Sequence, residues 1–265
     1  MRRNKSISIY NFREDITDEV SKLRPREKIS SKVDRTVKKI IKDVKKDGNK
    51  AVFEYTLKLD NVLLTQDTMQ ISAEEIKIAY SHVSKQQISA IKFAKRRIEK
   101  FEQAIMKSTA SLIIEENGIK INQRIVPIDS VGCYVPGGNA VYVSSLLMTV
   151  IPAKVAGVNR IVVTSPPSKN GNLPFLLIVA ADICGVNEFY KIGGSQAIAA
   201  LAYGTESIKS VDKIVGPGNI YVTSAKLIVS GVVSIDLPAG PSELLIIADE
   251  SANAEFVARD LISQA

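Results

Sequence analysis

A chain of 265 residues with 45% apolar content can bury a substantial core, which excludes a disordered or fibrous class and bounds the fold to one large or two modest domains. The net charge of +7 is uneven: residues 1–125 hold 27 Lys and Arg against 17 Asp and Glu, while residues 126–265 hold 8 against 11. The most apolar window, Pro174 to Val186, is too short to cross a bilayer, and the polar start from Met1 to Val20 carries no signal peptide, so the expected location is cytoplasmic.

In chain order, Val37, Ile40, Ile41 and Val44 recur at helical spacing, break at Gly48, and resume with Ala51, Val52, Tyr55 and Leu57, which predicts a helical hairpin from Asp34 to about Leu59. Ser72 and Glu75 have capping-box spacing and open a long predicted helix whose face carries Ile91, Ala94, Ile98, Phe101 and Ile105. Ser111 to Gln123 reads as a β-hairpin around Asn117 and Gly118. From Ser130 short β-branched runs alternate with Ala-rich stretches, the pattern of βαβ units and a parallel sheet. The predicted strands are Val131–Val135, Arg160–Thr164, Glu188–Ile192, Lys213–Val215, Ser234–Leu237 and Leu244–Ala248. Helices are predicted over Ser144–Ala156, Leu173–Cys184, Gln196–Tyr203, Ile220–Val229 and Ala252–Ala265, with Pro152 kinking or shortening the first.

Three strand ends run into glycine-containing turns: Pro136-Gly137-Gly138-Asn139, Gly193-Gly194-Ser195-Gln196 and Gly216-Pro217-Gly218-Asn219. Ligands of open α/β sheets bind beyond the carboxyl ends of strands, where glycine lets the backbone approach a phosphate near a helix amino terminus. None of the three is GxGxxG or a phosphate loop, and glycines after strands also serve simply as turns, with Ser195 and Asn219 as helix caps.

The segments Val131 to Gly138 (VGCYVPGG), Ile151 to Val158 (IPAKVAGV), Gly193 to Gly204 (GGSQAIAALAYG), Val211 to Val222 (VDKIVGPGNIYV) and Ala239 to Glu243 (AGPSE) together resemble histidinol dehydrogenase, in the family's order. The resemblance implies an α/β fold of Rossmann-like parallel-sheet domains with an additional helical amino-terminal region. It further implies oxidation of L-histidinol through L-histidinal to L-histidine with two NAD and a zinc ion, in a homodimer. Carried over by position, it makes Tyr134, Gln196 and Asn219 the NAD contacts, Ser242 a substrate contact, and Gln264 both a substrate contact and a zinc ligand. The expected domains are a helical region over 1–125, an NAD-binding domain over 126–243, and the start of a second Rossmann-like domain over 244–265, whose strand Leu244 to Ile247 would be exposed.

In the family, a Glu-His pair follows the segment that ends here at Ala265, its His a zinc ligand; a second Glu-His pair for acid–base work and later Asp and His metal ligands come further on. The one histidine here, His82, reads as structural on the front helix. Zinc needs about four donors and alcohol oxidation needs a base, so a chain bounded by Ala265 is expected to hold no catalytic zinc and to oxidise no histidinol alone. A non-catalytic nucleotide-binding form of the same enzyme is the alternative. Two rivals stand beside it. An aldehyde dehydrogenase-like enzyme would use Cys133 or Cys184, which lack CxxC spacing and read as buried. A nucleic-acid binder would use the basic runs at Lys38–Lys46 and Lys92–Lys100, which otherwise read as solvated helix faces, so no nucleic-acid or membrane partner is expected.

Overall fold

The alternation of apolar runs and Ala-rich stretches resolves, in a computed structural model, into a five-stranded parallel sheet covered by helices on both faces. Residues 30–109, 111–138, 140–238 and 244–263 are described. The polar start, Asn139, Ser242 and Gln264 lie outside the described residues.

The chain order is α1 (Ser31–Asp60), α2 (Ala73–His82), α3 (Lys85–Ser108), a hairpin of β1 (Leu112–Glu116) and β2 (Ile119–Gln123), then β3 (Ser130–Tyr134), α4 (Val143–Val155), β4 (Arg160–Thr164), α5 (Phe175–Ile183), β5 (Glu188–Tyr190), α6 (Gly194–Tyr203), β6 (Lys213–Val215), α7 (Ile220–Val229), β7 (Ser234–Ile235) and α8 (Ala254–Ser263). The strands lie in the order β5-β4-β3-β6-β7, all parallel, with Cys133 beside both Val163 and Val215. The chain winds outward through β4 and β5, then crosses back along α6 to β6 on the other side of β3. The switch point of the sheet therefore falls between β3 and β6, where a doubly wound fold opens its ligand crevice.

Both faces of β3 are buried, and its residues alternate between two cores. Tyr134, with Val162 of β4 and Tyr190 of β5, joins α1, α6 and α7 on one face. Val131, Cys133 and Val135 join α2, α3, α4 and α5 on the other. The predicted front helices thus cover the two faces of this sheet.

The helical hairpin is present within α1, which reverses at the non-helical Gly48. Tyr55 donates to Asp43 Oδ2 at 2.6 Å, whereas twelve residues of straight helix would separate the two by roughly 18 Å. Asn49, just past the reversal, donates its backbone N–H to Glu206 at 2.7 Å and its side-chain amide to Ser207 at 2.7 Å, tying the turn to the loop after α6. The basic run is a solvated face: Lys38 pairs with Asp34 and Lys39 with Asp43, each one helical turn away. The β1–β2 hairpin also forms, with Asn117 and Gly118 both at positive φ.

Four expectations are corrected. The long helix opening at Ser72 is two helices, because Val83 is extended and Ser84 starts a second capping box with Gln87. Phe101 and Ile105 are exposed, so only the first turns of α3 reach the core. α4 runs three residues past Pro152, whose place near the helix end leaves one hydrogen bond unmade and little helix to disrupt. Leu244–Ala248 forms no strand: none of the described strands pairs with it, and a strand without a hydrogen-bonded neighbour has no ladder. Leu245 and Ile247 are exposed there.

The edge of β5 is covered by the segment before α2, where Ile71 donates to the Phe189 carbonyl and Lys191 donates to that of Met69. The buried Lys191 ammonium meets Glu75 at 2.7 Å, while the other Glu75 oxygen accepts the Ser72 N–H. Burial pushes the Glu75 carboxyl up, but Lys191 and the Ser72 N–H outweigh it and hold the group below its ordinary 4.5. A depressed carboxyl contributes stability that is present above the unfolded value and lost as pH falls through the folded one. Glu75→Gln is therefore expected to lower the urea midpoint at pH 7, with a difference from wild type that shrinks below about pH 4.

Candidate functional site

A cleft of about 800 Å³ opens at the switch point, floored by the three glycine-containing turns and walled by the end of α1. The turn after β3 contributes Pro136, Gly137 and Gly138; that after β5 contributes Gly194, Ser195 and Gln196; and that after β6 contributes Pro217, Gly218 and Asn219. The structure brings together the three described NAD candidates, Tyr134, Gln196 and Asn219, all of which line this one cleft.

Tyr134 is the last residue of β3. Its hydroxyl accepts the backbone N–H of Gly194 at 3.2 Å, which anchors the ring against the first turn of α6. Burial pushes the phenol up to about 12, so it stays protonated and can donate to a ligand. Gln196, in that same first turn, is fully buried, yet both its amide nitrogen and its amide oxygen lack a hydrogen-bond partner. A residue in the first turn of a surface helix is expected to be exposed; here Gln196 is buried at the wall of the cleft. Asn219 caps α7, its side-chain oxygen accepting from the N–H groups of Tyr221 at 3.0 Å and Val222 at 3.1 Å. The cap reading and the ligand reading are compatible, since the oxygen is committed and the amide N–H groups remain to serve a ligand.

The turn after β6 is held from below. Asp236 accepts the Gly216 N–H at 2.8 Å, and the buried Lys226 ammonium bonds the Gly216 carbonyl at 3.0 Å and pairs with Asp236. Ser195 donates to the Tyr221 carbonyl at 3.1 Å, linking the turns of α6 and α7.

Sequence reasoning missed Asp60, Tyr142 and Tyr221 as cleft residues. Asp60 ends α1, and no spacing rule carries a helix end to a sheet edge far along the chain. Burial pushes its carboxyl up to about 6, and its Oδ2 has no hydrogen-bond partner. Neither cysteine lies in the cleft: burial pushes Cys133 up to about 12 and Cys184 up to about 11, which disfavours the thiolate that a nucleophile requires. His82 stacks on Phe175 with ring centroids 4.2 Å apart and its Nδ1 lies 2.9 Å from the Ile78 carbonyl, a structural setting. Among the described residues no group of three or more His, Cys, Asp or Glu is arranged to hold a metal ion.

The fold and cleft define a doubly wound, Rossmann-like α/β protein with an open cleft at its switch point. Residues 23–265 match the family model described as histidinol dehydrogenase, and the chain belongs to the histidinol dehydrogenase family. It is 51% identical over 238 residues to the histidinol dehydrogenase of Clostridium acetobutylicum, covering 90% of this chain and 54% of that relative. It is 54% identical over 230 residues to that of Methanocaldococcus jannaschii, covering 87% and 53%. The crystal structure of histidinol dehydrogenase from Elizabethkingia anophelis superposes with a TM-score of 0.85 at 42% identity, over 94% of this chain and 57% of that one. The chain thus spans about half the length of the curated relatives it matches.

Proposed function

We propose that this chain holds NAD for the oxidation of L-histidinol, through L-histidinal, to L-histidine, as the cofactor-binding part of a zinc-dependent, homodimeric histidinol dehydrogenase. The observation that carries the reading is Gln196: a buried amide with neither atom satisfied is costly unless a ligand supplies the partners. NAD, when bound, supplies the hydride acceptor. The chain's own residues hold and orient it. The turns after β5 and β6 lead into the starts of α6 and α7, whose positive ends favour a pyrophosphate without a cationic side chain. Tyr134 donates its phenolic proton, Gln196 donates and accepts through one amide, and Asn219 donates from a position fixed by its cap.

Zinc is assigned to the family's chemistry. The described residues do not offer a metal site, and Ser242 and Gln264, proposed as substrate and zinc contacts, lie outside them. A dimer accords with the exposed apolar side chains of the β1–β2 hairpin, Leu112, Ile113, Ile119 and Ile121 among them. No helix among the described residues is long and apolar enough to cross a membrane.

Calorimetry of the purified 265-residue protein with NAD is expected to show saturable heat with one site per chain; no heat at millimolar NAD overturns the reading. Gln196→Leu sharpens the test. It removes two unsatisfied buried groups at similar volume, so the ligand-free fold is expected to gain about 1–3 kcal/mol while NAD affinity falls tenfold or more. A variant that loses stability and keeps affinity would show that the amide is satisfied within the protein.

A further inference from the structure

We propose that Asp60 reads the adenosine ribose of the dinucleotide, accepting its 2′- and 3′-hydroxyls and excluding a 2′-phosphate. The inference rests on the NAD reading above and adds the residue that would set the choice of NAD over its 2′-phosphorylated form.

In a doubly wound fold the ribose is ordinarily met by an acid beyond the second strand of the unit. Here the second strand is β4, and Ser165-Pro166-Pro167-Ser168-Lys169 follows it with no acid among them. Asp60 supplies a carboxylate at that place from another element. It ends α1 and lines the cleft together with Pro166 and Pro167, and it also lines the adjoining groove with Ser168 and Lys169. Among the described lining residues of the cleft it is the single carboxylate or cation.

Its chemistry points to hydroxyls. Asp60 Oδ2 is buried and has no hydrogen-bond partner, and the cleft also holds the unpartnered, fully buried amide of Gln196. A carboxylate here would repel a pyrophosphate or a phosphomonoester in a site of low dielectric, whereas it can accept from two vicinal hydroxyls at once. Burial raises the Asp60 carboxyl to about 6, which leaves it largely ionised, and acceptor-only, at neutral pH. Lys169, exposed and lining the same groove, would otherwise welcome a 2′-phosphate; the Asp60 carboxylate tips the balance toward the free hydroxyl.

The test titrates NAD, NADP and the 2′-deoxyadenosine analogue of NAD into wild type and Asp60→Asn, with thermal melting to confirm that the variant is folded. Wild type is expected to bind NAD about tenfold or more tightly than either other ligand, as for a hydrogen bond to a charged group. In Asp60→Asn, NAD affinity is expected to fall about tenfold and both preferences to shrink toward unity. Should the variant fail to fold, the comparison of NAD with its 2′-deoxy analogue on wild type decides alone. NAD binding without discrimination, or with discrimination unchanged in Asp60→Asn, overturns the Asp60 inference and leaves the NAD reading intact. Absence of NAD binding by wild type overturns both.

Discussion

Gly216→Ala is expected to lower stability by about 2–5 kcal/mol and to abolish ordered ligand binding, because two costs coincide at that residue. Gly216 continues the register that pairs Cys133 with Val215, which sets it opposite Tyr134. A Cβ at this position would lie 2.1 Å from the Tyr134 carbonyl oxygen and 3.0 Å from its carbon, so main chain rather than a flexible side chain would have to move. The residue also sits at φ +117°, a conformation that L side chains rarely adopt. Gly138 separates the two costs. Its φ is +125°, but a Cβ there would have nothing within 4 Å, so Gly138→Ala should lose only the backbone part, about 1–3 kcal/mol. Urea midpoints of the two variants against wild type make the comparison. Equal losses would mean that the β3 and β6 turns can separate freely, and the switch-point cleft would then have no fixed floor.

The sheet was legible because its signals are local. Arg160–Thr164, Lys213–Val215 and Ile220–Val229 appear where period and punctuation place them. Asn117-Gly118 fixes the hairpin by a conformation that few residue pairs accept. What was illegible is what depends on distant partners. Leu244–Ala248 has the composition of a strand and no described neighbour to pair with. Ser84 and Gln87 form a capping box as legible as that of Ser72 and Glu75, yet the apolar period running through both helices conceals the break. At the site, Tyr134, Gln196 and Asn219 could be named through family resemblance, and their shared cleft follows from the strand order. The vacancy in Gln196's hydrogen bonding and the arrival of Asp60 from α1 are facts of three-dimensional packing, without trace in spacing.

Lys226→Met is expected to cost on the order of 3 kcal/mol and to weaken NAD binding without touching the cofactor, because Lys226 acts through the turn after β6. Its stem lies in α7, and its ammonium reaches the Gly216 carbonyl and Asp236, while Asp236 in turn holds the Gly216 N–H. The arrangement braces both backbone polar groups of Gly216. Removing the cation leaves the Gly216 carbonyl unbonded and an acid without its counter-ion, the circumstance in which breaking a buried pair is most damaging. The cost stays below the upper range for such pairs because about a third of the Asp236 side chain is exposed and water can replace part of the lost charge. Binding suffers because Asn219, three residues beyond Gly216, takes its position from the braced turn and from its own cap on α7. Thermal melting gives the first quantity and NAD calorimetry the second. Lys226→Arg, which keeps the charge but adds a planar head to a buried site, should recover less than half of the stability, since a rigid fork does not reproduce the contacts that a compact ammonium makes to both the Gly216 carbonyl and Asp236. A Lys226→Met protein as stable as wild type would show that Asp236 alone fixes the turn, and that the ion pair is incidental to the cleft.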